Sequence, residues 1–252
     1  MQLFKSYCKY IKVHPLTLVY VVVSFISGYW KFYLGAYTIV CIHEICHFIM
    51  AYSFRFEIEK ISLLPFGAYL SLYDYGYRPI IYEMCVVLAG PCSHLFIYFI
   101  LNLFKKYVYV QYLLKMNSLI FMFNLLPIYP MDGFRFILLC IENWIDLSKC
   151  QYIIFKISIF FLCLFISLCY RMNYYIIFFF LLYQNIEFYR NIPMYLRNYF
   201  MNIPYVYKNK IKIHQDNCYL RDKENYYFFN GQLYYENEYK YALIKNVKRL
   251  EK

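Results

Sequence analysis

Six runs of apolar residues, each close to the length of a membrane-spanning helix, constrain this chain more than any other feature. They cover residues 16–34, 36–54, 80–104, 110–126, 151–170 and 174–189. A helix needs about 20 apolar residues to cross the hydrocarbon core of a bilayer. Of the 252 residues, 62% are hydrophobic and only 16% are charged, whereas soluble domains are about 25% charged. The sequence therefore predicts an all-α polytopic protein with about six transmembrane helices in a lipid bilayer.

The positive charges predict how the chain lies across that bilayer. With the N-terminus inside, twenty of the 26 Lys and Arg lie on the inner side and four on the outer side. Cytoplasmic loops of membrane proteins carry such an excess. The net charge of +11 is then explained by topology. We therefore expect no nucleic-acid partner, and we predict that both termini are cytoplasmic.

The chain changes character near residue 190. Beyond it, polar and charged residues alternate with Tyr and Phe, as in YYFFNGQLYYENEYKYALI. Asn230-Gly231 between two aromatic runs is typical of a two-residue type I′ hairpin. We predict a transmembrane domain over residues 1–190 and a small cytoplasmic tail with some β structure over residues 191–252.

The second apolar run contains a metal-binding pattern, His43-Glu44-Ile45-Cys46-His47. On a helix, residues i and i+4 share a face, so both imidazoles can bind one ion. Glu44 can take a proton from a water at that ion without being a ligand. Placing even one acidic residue in hydrocarbon costs about 3 kcal/mol, which favours a functional cluster. The alternative is a buried polar cluster that only locks helices together.

Zinc at a catalytic site needs a third protein ligand and one position left for water. Asp132 is the strongest candidate, because it follows a stretch in which Pro127 and Pro130 forbid a regular helix. Irregular backbone at membrane depth is tolerated where it lines protein or a wet cavity. The predicted topology places Asp132 and both histidines on the cytoplasmic side of the midplane. Alternatively, Asp132 caps a helix that begins near Gly133.

These two motifs, HEICH in an early span and NLLPIYPMDG in a later one, resemble those of the site-2 type intramembrane metalloproteases. The resemblance is closer to their sporulation subgroup, and it covers roughly residues 13–135. Three further segments fit that subgroup: Val13-His14-Pro15, Leu63-Leu64-Pro65-Phe66-Gly67, and Ala89-Gly90-Pro91 with His94.

The resemblance implies a site and a reaction. One zinc ion is held by His43, His47 and Asp132, and Glu44 is the general base. The implied activity is hydrolysis of a peptide bond in a membrane-associated protein.

The resemblance also implies a substrate and partners. Asn124 and Pro130 lie near the substrate, which is the precursor of the sporulation sigma factor sigma-K. The protease removes its pro-sequence at the outer forespore membrane of a bacterial cell, facing the mother cell. Two small membrane proteins act as inhibitors.

The sequence departs from the pattern of the subgroup at three positions. Ala68 and Phe134 stand where Gly is usual, and Cys46 precedes the second histidine where Gly is frequent. On an ideal helix Cys46 points away from the face of the two histidines. His94 is interpreted either as a contact of the site or as a buried structural histidine.

Three other classes of protein place His and acidic residues in membranes. A metal transporter needs ligands along a path across the bilayer, whereas this cluster sits at one depth. A di-iron desaturase needs many more than the five His present. A catalytically inactive scaffold retains the fold and loses a ligand or the base, and all four residues are present here.

Overall fold

The computed structural model describes residues 11–13, 15–64, 67–168, 172–201, 211–214, 218–229 and 232–235. Seven helices dominate the described part of the chain: α1 (Pro15–Ile26), α2 (Trp30–Ser53), α3 (Ile80–Leu103), α4 (Val108–Asn124), α5 (Asp132–Glu142), α6 (Leu147–Leu168) and α7 (Met172–Met201). Six strands accompany them: β1 (Ile11–Val13), β2 (Ile58–Leu64), β3 (Gly67–Leu72), β4 (Ile211–His214), β5 (Glu224–Phe229) and β6 (Gln232–Tyr235). The protein is thus mostly helical, and strands also occur within the predicted membrane domain.

Three of the described helices are long and apolar enough to cross a membrane: α2, α3 and α6 over Leu147–Ser167. Each predicted span overlaps a helix, but the first, 16–34, runs past the end of α1 into α2. Helix α1 has only 12 residues and α4 has 17. At 1.5 Å per residue these are about 18 and 26 Å long, less than the 30 Å hydrocarbon core. Three spans are therefore supported, and the number six stays a prediction.

Among the described residues, those up to Gly76 and those of Ile81–Phe136 form one compact unit. Within it, β1, β2 and β3 form a sheet in that order, with β2 and β3 antiparallel. Strands β2 and β3 thus form a hairpin, and residues 65 and 66 between them lie outside the described residues. The hairpin packs on the end of α2 through a core of Ala51, Phe56 and Val86, with Met50, Phe54, Leu70 and Leu72 around it.

The second compact unit comprises Tyr77–Ile80 and the chain from Ile137 onward. Its tail strands form a sheet in the order β4, β5, β6, and β5 and β6 are antiparallel with Phe229 opposite Gln232. This pairing confirms the hairpin around Asn230-Gly231, whose two loop residues lie outside the described part. Helix α7 runs through residue 190 without a break, and the domain boundary predicted there stays a prediction.

A buried ion pair ties the tail to the helices of this second unit. Arg221 Nη1 donates to Glu142 Oε2 at 2.7 Å, and both side chains are at most 3% exposed. Burial raises the pKa of the Glu142 carboxyl, and the guanidinium of Arg221 opposes that rise. The second guanidinium nitrogen of Arg221 donates to the Arg78 carbonyl oxygen at 2.6 Å. The pair is therefore desolvated on both sides.

Replacing Arg221 by Met is expected to lower the free energy of unfolding by about 3–5 kcal/mol, because it leaves Glu142 buried without its cation. The measurement is denaturant unfolding of the protein in detergent micelles. Arg197→Met is the control: Arg197 is exposed on α7, and such a change shifts stability by about 0.5 kcal/mol or less. Equal unfolding midpoints for the two variants would contradict this account.

Candidate active site

Helix α2 carries the two histidines of the HEICH motif one helical turn apart. His43 and His47 are 2% and 7% exposed, so both rings point into the protein. Glu44 lies beside His43 on the same helix and is half-buried. The face predicted from the spacing of the two histidines is therefore the one that faces inward.

Asp132 reaches the same place from a different segment. After α4 ends at Asn124, the chain turns irregularly until α5 begins at Asp132. A Cβ on Gly133 would lie 2.5 Å from the carbonyl carbon of Leu125 and 2.7 Å from the carbonyl oxygen of Leu126. Only glycine lets the turn fold back this closely on the start of α5. Asp132 in the first turn is also favoured by the helix dipole.

Three donor atoms converge where these segments meet. Nε2 of His43 lies 3.0 Å from Oδ2 of Asp132 and 3.0 Å from Nε2 of His47. The distance from Nε2 of His47 to the same carboxylate oxygen is 3.2 Å. Within the described residues, these three side chains form a group whose donor atoms all lie within 4.8 Å.

This donor set fits zinc. Two imidazole nitrogens and one carboxylate oxygen are the ligands of a catalytic zinc site, with a fourth position open. Bonds of about 2.0–2.1 Å at tetrahedral angles place neighbouring donors about 3.3 Å apart. The separations of 3.0, 3.0 and 3.2 Å are close to that value. One ion of this size therefore fits with small outward movements of the side chains.

Two residues of α3 position the imidazole rings: Val86 orients that of His47, and Gly90 leaves space for both. The carbonyl oxygen of Val86 accepts a hydrogen bond from Nδ1 of His47 at 2.7 Å, which leaves Nε2 of that ring unprotonated and able to bind a metal. Gly90 is buried against both imidazoles, and a Cβ there would lie 2.5 Å from Cε1 of His47 and 2.6 Å from Cε1 of His43. The backbone of α3 thus approaches the site closely.

Glu44 is surrounded by the charged groups that its predicted role requires. His47, His43, Asp132 and Arg135 all act on it electrostatically. Arg135 lies one helical turn after Asp132 on α5, and its guanidinium stands 5.5 Å from the ring centre of Tyr75. Glu44 therefore lies within electrostatic range of the three donor residues and of a cation.

The other residues singled out from the sequence lie around this site or in the segment before Asp132. Asn124 is the last residue of α4, and Pro130 lies in the irregular segment; their contact with substrate stays a prediction. Phe134 is buried, with its ring packed edge to face against Tyr129. His94 is buried next to His43, whereas His14 lies outside the described residues.

Two residues of the site have no role in the sequence interpretation. Gly90 enters that interpretation only as part of a motif, and Asn117 on α4 has no place in it. Asn117 lies with Lys115 and Ser118 in an otherwise apolar run; a buried polar residue needs a hydrogen-bond partner, and this is the signal that could have identified it.

Part of the chain and its fold are similar to those of known membrane proteases. Residues 31–108 match the family profile described as Peptidase family M50. The fold is similar to that of the Site-2 Protease from Methanocaldococcus jannaschii, with a TM-score of 0.55 and 23% sequence identity over 70% of this chain and 89% of that one. The resemblance to the site-2 type intramembrane proteases is confirmed.

Among curated proteins, the chain is similar to Stage IV sporulation protein FB of Bacillus subtilis (strain 168). The two are 29% identical over 155 residues, which cover 59% of this chain and 54% of the relative. The chain thus matches about half the length of this relative. The similarity supports the resemblance to the sporulation subgroup.

Proposed function

We propose that this protein is a zinc metalloendopeptidase that hydrolyses a peptide bond of a membrane-associated protein. One observation carries the proposal: His43, His47 and Asp132 bring three donor atoms within 3.2 Å of one another on a membrane-length helix and the segment beside it. Charged and polar groups buried within a membrane-spanning segment are costly unless they bind one another or an ion. Glu44 beside them supplies the base.

The residues of the site have distinct roles in this mechanism. His43, His47 and Asp132 would hold a zinc ion, which would supply Lewis-acid chemistry and lower the pKa of a water molecule to about 7. Glu44 would act as the general base, taking a proton from the attacking water and delivering it to the leaving amine. Asn124 orients a backbone carbonyl of the substrate, and Pro130 lies along its path.

The substrate must be extended to be cut, because a helix engages its own carbonyl groups. β3 lies at the edge of its sheet, with β2 on one side and no strand on the other among the described residues. An extended peptide can add to such an edge through backbone hydrogen bonds. This edge supports the proposal that β3 receives the substrate strand.

The substrate we propose is the precursor of the sporulation sigma factor sigma-K, whose pro-sequence is removed. The similarity to Stage IV sporulation protein FB supports this choice. With both termini cytoplasmic, the protein would lie in the outer forespore membrane and face the mother cell. Two small membrane proteins would hold it inactive.

Two other functions use the same side chains. An inactive membrane scaffold would retain the fold without hydrolysis, and a metal transporter would move the ion across the bilayer. The clustering of His43, His47 and Asp132 at one place favours the protease over the transporter.

Metal analysis of the purified protein tests the site. We expect one equivalent of zinc in the parent and less than about 0.1 in Asp132→Ala, because loss of one of three protein ligands leaves too few donors. A co-expressed membrane-associated precursor should be cut by the parent only. Glu57→Ala removes an exposed carboxylate of the same unit, and it should retain both zinc and cleavage. Full zinc content in Asp132→Ala would contradict the proposed ligand set.

A further inference from the structure

A buried chain of hydrogen bonds leads away from one of the proposed ligands. Nδ1 of His43 lies 3.0 Å from Nε2 of His94, and Nδ1 of His94 lies 2.8 Å from Oδ1 of Asn117. His94 stands on α3 and Asn117 on α4, and they are 1% and 2% exposed. The chain therefore connects three helices at the proposed metal site.

The direction of both hydrogen bonds follows from the orientation of the Asn117 amide, at the end of the chain away from His43. Nδ2 of Asn117 donates to the backbone carbonyl of His94 at 3.0 Å, so the amide oxygen of Asn117 faces the imidazole and can only accept. His94 must therefore carry its proton on Nδ1. In a neutral imidazole the other nitrogen then accepts, and Nδ1 of His43 is the donor to it.

This arrangement determines the protonation of the other ring nitrogen of His43, Nε2. With its proton on Nδ1, the ring presents an unprotonated Nε2 to Asp132 and His47, as a metal ligand requires. The opposite tautomer would place a hydrogen on Nε2 and leave two acceptors facing each other between His43 and His94. Burial makes such a pair of unsatisfied acceptors costly, because neither nitrogen can find a donor in water instead.

We propose that His94 and Asn117 are positioning residues that hold His43 in its zinc-binding tautomer and orientation. The inference rests on the proposed zinc site. A carbonyl does the same for His47 through Val86, so the two histidines are oriented by different devices. The hydrogen bonds that orient His43 come from the side chains of His94 and Asn117, so substitution can remove them.

Two substitutions at His94 separate this role from simple packing. The amide of His94→Gln reaches about as far as Nε2 of the imidazole, so it can still accept from His43. The amide of His94→Asn reaches only as far as Nδ1 of the imidazole, so it cannot accept the hydrogen bond from His43. We expect His94→Gln to bind zinc within about 3-fold of the parent, whereas His94→Asn binds about 10–100-fold more weakly. Asn117→Leu, which removes the acceptor for His94, should weaken zinc binding similarly.

The measurement is the zinc dissociation constant of the full-length protein in micelles, determined by competition with a chelator. Thermal unfolding of the metal-free proteins is the second readout. The proposal requires the two His94 variants to differ in zinc affinity while their metal-free melting temperatures agree. It is overturned if His94→Asn binds as tightly as the parent, or if both variants lose affinity and metal-free stability together. A parent that takes up no zinc overturns the proposed function and this inference with it, whereas parent-like affinity in His94→Asn overturns only the inference.

Discussion

Glu44→Gln is expected to retain one equivalent of zinc and to lose cleavage by about 10²–10⁴-fold, the range that a general base contributes. Gln has nearly the shape of Glu, so the buried packing beside His43 should survive. An amide cannot take a proton from water at neutral pH, and the reaction then lacks its base. The ligands are untouched, so metal binding and activity separate in this variant.

The assay compares accumulation of the shortened precursor in cells that express the parent, Glu44→Gln or Glu57→Gln. Glu57 is exposed in the same unit, so the Glu57→Gln variant controls for the loss of one carboxylate and should cleave like the parent. Zinc is measured on each purified protein. Cleavage that persists in Glu44→Gln would rule out the mechanism. Loss of cleavage together with loss of zinc would assign Glu44 a role in holding the metal instead.

Gly90→Ala is expected to weaken zinc binding by more than about 100-fold and to destabilise the protein by about 1–3 kcal/mol. The added methyl would lie 2.5 Å from Cε1 of His47 and 2.6 Å from Cε1 of His43, and closer still to Nε2 of His47. Both rings are fixed from behind by their Nδ1 hydrogen bonds, so neither can withdraw without breaking one. The donor atoms must therefore leave their present positions.

Gly35→Ala is the matched control, a glycine-to-alanine change in another membrane-length helix. Its methyl would lie 2.6 Å from Cδ2 of Leu113 and closer to the hydroxyl of Tyr109, both ends of side chains that can rotate away. We expect unchanged zinc affinity and a small change in melting temperature. Equal zinc affinity in Gly35→Ala and Gly90→Ala would show that α3 does not confine the imidazoles.

The ligand-bearing helix could be predicted from the sequence because its information is local. His43 and His47 are one turn apart, and that spacing alone places both imidazoles on one face. Asp132 was predicted from its position after a stretch that cannot be helical. The hairpin around Asn230-Gly231 was predictable for a similar reason, since two adjacent residues determine the turn.

The rest of the site depends on contacts between distant segments. Gly90 and Asn117 act on His43 and His47 only because α3 and α4 pack against α2, and no local pattern encodes that. The first span illustrates another limit. Apolar residues continue from 16 to 34, but α1 ends at Ile26 and a positive φ at Gly28 separates it from α2. The composition identifies an apolar segment, whereas the turn at Gly28 determines where helix α1 ends.

The separation of the ligands along the chain has a consequence for synthesis. His47 and Asp132 are 85 residues apart, with α3 and α4 between them. During translation, α2 therefore enters the bilayer with His43, Glu44 and His47 before Asp132 has been made. The proposed metal centre can form only after Asp132, at the start of α5, has been made, so a nascent or truncated chain that lacks it would not have the proposed activity.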